Sequence, residues 1–106
     1  MIRAKFSPKA ERDLDQIFGF ISSDNLDAAN HVRETILDVA DLLAQNPELG
    51  RKIRKASSRH EKIRWFVVPK FRNYLIFYKP FQETIVVVRV LHVAQDWTRF
   101  FPPKNL

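Results

Sequence analysis

The hydrophobic pattern of this chain changes period near its middle, and that change restricts the folds open to it. Up to Leu43 the apolar residues recur at helical spacing. Ala10, Leu14, Ile17, Phe18 and Ile21 form one set; Ala29, Val32, Ile36, Val39, Ala40 and Leu43 form the next. Each set is the stripe that one helix buries. Beyond Gly50 the pattern breaks into β-branched and aromatic runs at 63–68 (IRWFVV), 72–78 (RNYLIFY) and 84–93 (TIVVVRVLHV), which suit strands.

The punctuation agrees with the periods. Ser7-Pro8 supplies a cap and a proline at the first helical position. This leaves Lys9, Glu11, Arg12, Asp13 and Asp15 for the polar face of the first helix. Ser22-Ser23-Asp24-Asn25 interrupts the stripe and offers new caps, and Asn46-Pro47 ends a second helix over about 26–45. Two helices joined by so short a turn form an antiparallel hairpin. Ahead of them, IRAKF at 2–6 alternates Ile2, Ala4 and Phe6 against Arg3 and Lys5, as a half-buried strand does. The spacers around Pro69-Lys70 and from Lys79 to Glu83 are too short for a parallel crossover, so the three later strands are antiparallel. The run at 84–93 is apolar on both faces, as expected of a central strand covered by the helices on one side and by another segment on the other. The expected architecture is α+β in the order β-α-α-β-β-β. An N-terminal strand and an antiparallel helical hairpin precede a three-stranded antiparallel sheet, and one domain spans residues 1–106.

Charge is distributed as unevenly as hydrophobicity. The net charge is +6, yet residues 1–50 hold five Lys and Arg against nine Asp and Glu. Residues 51–79 hold ten Lys and Arg against Glu61 alone. A block this basic suits an acidic partner, either nucleic acid or an acidic protein segment, and the alternative is a solvated surface. Within it Arg51, Lys52, Arg54, Lys55, Arg59, Lys62 and Arg64 crowd the approach to Trp65 and Phe66. Cations interleaved with aromatics bind phosphates and stack on bases, or seat an acidic, partly apolar peptide.

Other chemistries find little support. There are no cysteines, and His31, His60 and His92 lie too far apart for a metal-ligand motif, so no metal or other cofactor is expected. No phosphate loop, dinucleotide fingerprint or nucleophile elbow is present. The stretch RVLHVAQD at 89–96 offers Arg89, His92 and Asp96 as an acid–base kit for a phosphodiester. Strand alternation opposes it. Arg89 should share a face with Ile85, Val87 and Leu91, and His92 the other, unless a bulge intervenes. His92 is then expected to hydrogen-bond backbone at the strand end. Trp97, Phe100 and Phe101 in the tail are expected to pack as core, with a partner contact as the other use. The first sixteen residues lack an apolar leader, and no stretch is long enough to span a bilayer, so the expected location is the cytoplasm.

Several of these features occur together in a known order. Phe6-Ser7-Pro8, Ala10, Asp13-Leu14, Asn25, Ala28-Ala29, the exit Asn46-Pro47-Glu48-Leu49-Gly50-Arg51, Tyr74-x-x-x-Tyr78 and Arg89-Val90-Leu91-His92-x-x-x-Asp96 run nearly the length of the chain. Together they resemble the ParE/RelE superfamily of toxins from bacterial type II toxin–antitoxin pairs. The resemblance implies a toxin fold of the order given above and one of two activities. RelE-like members cleave mRNA on the ribosome with basic side chains of the sheet and often a C-terminal Tyr or His. ParE-like members poison DNA gyrase. The RelE-like pattern places an arginine where this chain has Leu75, no tyrosine follows Tyr78, and the closing motif looks ParE-like. Many relatives carry arginine where this chain has Gln95.

The resemblance therefore implies a gyrase inhibitor that acts by binding, without a catalytic centre. It also implies a cognate antitoxin whose acidic, amphipathic C-terminal segment wraps the toxin in a hetero-oligomer. Arg51, Lys52, Arg54, Lys55, Arg59, Arg64, Arg72, Arg89 and Trp97 are the expected contacts for antitoxin or target. In the alternative, a ribosome-dependent mRNA endonuclease, Arg64, Arg72 and Arg89 would hold phosphates and His92 would move the proton.

Overall fold

A computed structural model describes residues 2–103; the ends of the expected 1–106 domain, residues 1 and 104–106, lie outside the described residues. The chain forms β1 (Lys5–Phe6), α1 (Pro8–Ser22), α2 (Leu26–Gln45), β2 (Arg51–Lys52), β3 (Arg64–Val67), β4 (Tyr74–Phe81) and β5 (Thr84–His92), then a 3-10 turn at Trp97–Arg99. The strands make one sheet in the order β1-β5-β4-β3-β2. β1 runs parallel to β5, while the other pairings are antiparallel. The α+β class and the helical hairpin are as expected. The strand count differs, five in place of four.

The helices begin where their caps place them. Ser7 Oγ accepts from the Ala10 amide and Asn25 Oδ1 from the Ala28 amide, at 3.1 and 3.0 Å. The stripe of α2 is buried from Ala29 through Ala44, and α1 adds Ala10 and Leu14. These residues pack on the inner sheet face against Ile76, Tyr78, Ile85, Val87 and Val90. The outer face carries a second, smaller core. Phe77 and Leu91 are covered there by Ile53 and Ile63 from the segment between β2 and β3, and by Phe101 from the tail. That segment and tail are the cover the doubly apolar run at 84–93 required. Phe101 is core, as expected of the tail, and stacks on Phe77 with ring centroids 4.7 Å apart.

Four expectations need correction. The N-terminal strand shrinks from 2–6 to Lys5–Phe6 because the Ala4 amide bonds to Asp41 Oδ1 of α2 rather than to a strand. Arg51–Lys52 pairs with Arg64 and Trp65 as an added edge strand. Its alternation is hidden by charge, a common composition for an exposed edge. β4 continues through Lys79, Pro80 and Phe81, where the sequence predicts a spacer, and the turn narrows to Gln82-Glu83, with Gln82 at φ 54°. Finally, Asp13 is buried, although the helical pattern assigned it to the polar face.

A bulge reorders the faces of β5. Phe77 pairs with Arg89 but Tyr78 pairs with Val87, which leaves Val88 as the extra residue. Ile85 and Val87 therefore pack inward with Val90, while Val88 and Leu91 pack on the outer core. Arg89 does not share the face of Ile85 and Val87 as simple alternation required. Arg89 and His92 both follow the bulge, so they still alternate to opposite sides.

Candidate functional site

Two concave regions hold most of the sequence-selected side chains; the sheet and its outer cover build both, and α1 adds Lys9 to the second. The first is a groove of about 230 Å³ lined by Arg51, Lys52, Arg54, Trp65, Leu75, Phe77 and Trp97. Edge strand β2 and the residues after it supply the cations, β3 and β4 supply the floor, and the 3-10 turn supplies Trp97. Trp65, Leu75 and Phe77 come together because alternate residues of paired strands share a face, with Trp65 directly opposite Phe77. The Arg51 guanidinium stands 5.9 Å from the Trp65 ring centroid, within cation–π range. Asp96 caps the turn that presents Trp97 by accepting from the Thr98 amide and hydroxyl, and these hydrogen bonds hold its carboxyl below the usual range.

The second region, about 530 Å³, is lined by basic side chains from four parts of the chain: Lys9 of α1, Arg59 and His60 of the cover, Lys79 of β4 and Arg89 of β5. Its apolar wall includes Val88, Phe100 and Phe101. Desolvation, then the charges of Arg59 and Lys79, push the His60 imidazole below its ordinary pKa. His60 Nδ1 is 3.2 Å from Ser57 Oγ, and its ring stands edge-on to Phe101 at 5.4 Å.

The remaining sequence-selected residues are engaged elsewhere. Arg64 lies opposite Tyr78 on β4, and its Nη1 donates to the Gly50 carbonyl at 2.7 Å. Tyr78 completes that corner. Its hydroxyl accepts from the Gly50 amide at 2.8 Å and donates to the Pro47 carbonyl at 2.7 Å, while burial pushes its pKa up. Lys55 is exposed, in a left-handed backbone conformation at φ 53°. Arg72 is exposed in a recess beside the groove, with Arg51 and Trp65 on its other wall.

Arg89 is held by Asp13. Its Nε and Nη2 each donate to a carboxylate oxygen at 2.8 Å, and this pairing raises the already high arginine pKa. The other side of the guanidinium lies 4.4 Å from the Phe100 ring centroid. His92 ends β5. Its Nδ1 accepts from the Ala94 amide at 3.0 Å, and its own amide donates to Gln95 Oε1 at 2.8 Å. Its ring meets Tyr74 edge-on at 5.4 Å.

Of the nine expected contacts, the groove gathers Arg51, Lys52, Arg54 and Trp97, with Arg72 adjoining; Arg59 and Arg89 face the second cavity. Arg64, Arg72, Arg89 and His92 do not converge on one point. Sequence reasoning missed Lys9, His60 and Lys79, which lie far apart in the chain and meet only through the tertiary fold. It also missed Asp13, whose signal was the lone Arg89 in an apolar strand. Among the described residues no cluster of His, Asp or Glu could hold a metal, and no helix is long and apolar enough to cross a membrane.

Comparison with known proteins gives a consistent picture. The profile of a family described as "ParE toxin of type II toxin-antitoxin system, parDE" matches residues 4–97. The chain is 28% identical over 92 residues to Toxin RelE3 of Caulobacter vibrioides, which covers 87% of this chain and 95% of that protein. It is 32% identical over 95 residues to Y4kP of Sinorhizobium fredii, whose name marks it provisionally as a toxin; the match covers 90% of this chain and 92% of that one. A solved structure of the chromosomal ParDE TA system from P. aeruginosa shares the fold. Its TM-score is 0.68 at 18% identity, over 87% of this chain and 96% of that one.

Proposed function

The chain belongs to the ParE toxin family of type II toxin–antitoxin systems, and on that premise we propose that it inhibits DNA gyrase by binding and is neutralised by a cognate antitoxin. The observation that carries this reading is the lining of the groove. Trp65, Leu75 and Phe77 form its floor, Trp97 a wall, and Arg51, Lys52 and Arg54 its rim. An extended or helical peptide that alternates apolar and acidic residues satisfies both parts. Its apolar side chains fill the floor and its carboxylates meet the rim. Arg72 extends the cationic rim along the sheet edge. An antitoxin tail of that composition would order on binding.

The mRNA endonuclease is the second reading, and the similarity to a protein named RelE3 speaks for it. Against it stands the dispersal of its reactive groups. Arg64 is spent on the Gly50 carbonyl, Arg89 on Asp13, and His92 on the strand-end turn. One paired experiment separates the two. Purified protein is added to a gyrase supercoiling reaction and, in parallel, to translating ribosomes with a reporter mRNA. Loss of supercoiling with intact mRNA is expected. Unaffected gyrase with codon-positioned cuts would replace the first reading with the second.

A further inference from the structure

The second cavity has no part in the groove just described, and its charge is not compensated from within. Lys9, Arg59, His60, Lys79 and Arg89 converge there from α1, the outer cover, β4 and β5. Among the described residues the one ion pair is Arg89 with Asp13, and no carboxylate lines the cavity. Lys9, Arg59 and Lys79 thus gather around the space without a partner of opposite charge, beside an imidazole that Ser57 orients through Nδ1. Such an arrangement costs electrostatic energy that a bound anion would relieve. Phe100 and Phe101 form an apolar wall beside these cations.

We propose that this cavity binds a phosphoryl group, carried on a small ligand or on the end of a nucleic-acid strand. The number and directions of the donors select the class. A carboxylate accepts in one plane, and the Arg89 fork with the Val90 amide already fills that of Asp13. A phosphoryl group carries more charge and accepts tetrahedrally, so it can use point-charge lysines and an arginine arriving from different sides. The site is independent of the reading of the groove, and its test does not involve gyrase or an antitoxin.

The isotope-labelled full chain is titrated with pyrophosphate at ionic strength held constant with chloride, and its resonances are followed by NMR. Saturable shifts are expected at His60, Lys79 and Arg89, together with a rise in the His60 pKa as the anion favours the imidazolium. Lys79→Ala and Arg59→Ala should each weaken binding at least about tenfold, the loss of one charged hydrogen bond. Both side chains are exposed and outside the intramolecular hydrogen bonds described, so the folded spectrum should persist. Arg51→Ala, in the groove, should leave the affinity unchanged.

A second arm compares a short oligonucleotide bearing a 5′-phosphate with the same oligonucleotide lacking it. Tighter binding of the phosphorylated form than of pyrophosphate assigns the site to strand ends; the reverse order assigns it to small ligands. Linear shifts spread over the whole basic surface would overturn the proposal. So would a Lys79→Ala affinity equal to that of the unaltered chain.

Discussion

Asp13 does more for the fold than its place in a helical pattern suggests. β1 covers β5 only opposite Val86 and Val87, and the chain then turns through Ser7 into α1. The β5 edge beyond that point has no neighbouring strand. Ser7 Oγ donates to the Val88 carbonyl at 3.0 Å, and Asp13 Oδ2 accepts from the Val90 amide at 2.9 Å. Asp13 also neutralises Arg89, so one buried carboxylate completes a sheet edge and an ion pair. Asp13→Ala should cost about 3 kcal/mol or more, because it leaves a half-buried guanidinium and a buried amide without partners. Urea denaturation measures it, and a loss below about 1 kcal/mol would show that water substitutes for the carboxylate. Gly50 presents a steric case. A Cβ there would stand 2.7 Å from Tyr78 Cε1 and overlap the hydroxyl as well. Gly50→Ala should therefore cost about 1–3 kcal/mol by overpacking, seen as a lower urea midpoint with an unchanged slope.

The outer cover is the element whose stability is most open to test, since it consists of a loop and a tail held by a few aromatic contacts. Phe101 is 4% exposed and sits between Phe77 and His60. Phe101→Ala should destabilise by about 3 kcal/mol, at the lower end for a buried phenylalanine because a surface segment can partly collapse into the space. His60 makes the same element sensitive to acid. Its pKa is lowered in the fold, so the unfolded chain binds the proton more readily. Stability is present above the ordinary value of 6.5 and is lost as pH falls through the folded value. A thermal melting series from pH 8 to pH 5 should show this as a drop that His60→Gln abolishes. Flat melting in the unaltered chain would mean that protonation is accommodated. This cover was only half legible in the sequence. The apolar run at 84–93 required something on its second face, but Ile53 is isolated among cations without a periodic signal, and Ile63 reads as the start of the strand run at 63–68 rather than as cover. The helices were readable because caps and stripes coincide at Ser7 and Asn25. β2 was not, since a two-residue edge strand of Arg and Lys owes its conformation to β3 rather than to its own propensity.

On the scale of the whole molecule, the sheet divides two chemically different sides. The acidic N-terminal half supplies the helices on the inner face, and the basic middle of the chain supplies the outer cover and groove rim. The charge block was legible from composition. Its division between an apolar-floored groove and a separate cationic cavity was not, because it depends on where Lys9, Lys79 and Leu75 meet residues remote in sequence. In the proposed binding of an antitoxin segment, the two parts of the groove would have separate kinetic roles. Long-range attraction from Arg51, Lys52 and Arg54 would act before contact, so it would govern the association rate and be screened by salt. The floor would act after contact and so govern dissociation. For an acidic antitoxin segment measured by stopped flow, raising ionic strength from about 0.05 to about 0.5 M should lower the association rate about tenfold or more. The dissociation rate should change by less than about threefold. Trp97→Ala should do the reverse, raising dissociation about tenfold with little effect on association, as removal of an aromatic wall costs at least about 1.4 kcal/mol. An association rate indifferent to salt would mean that the basic rim does not steer this partner. In that case the antitoxin would have to engage another surface, and the groove would lose its assignment even if gyrase inhibition were confirmed.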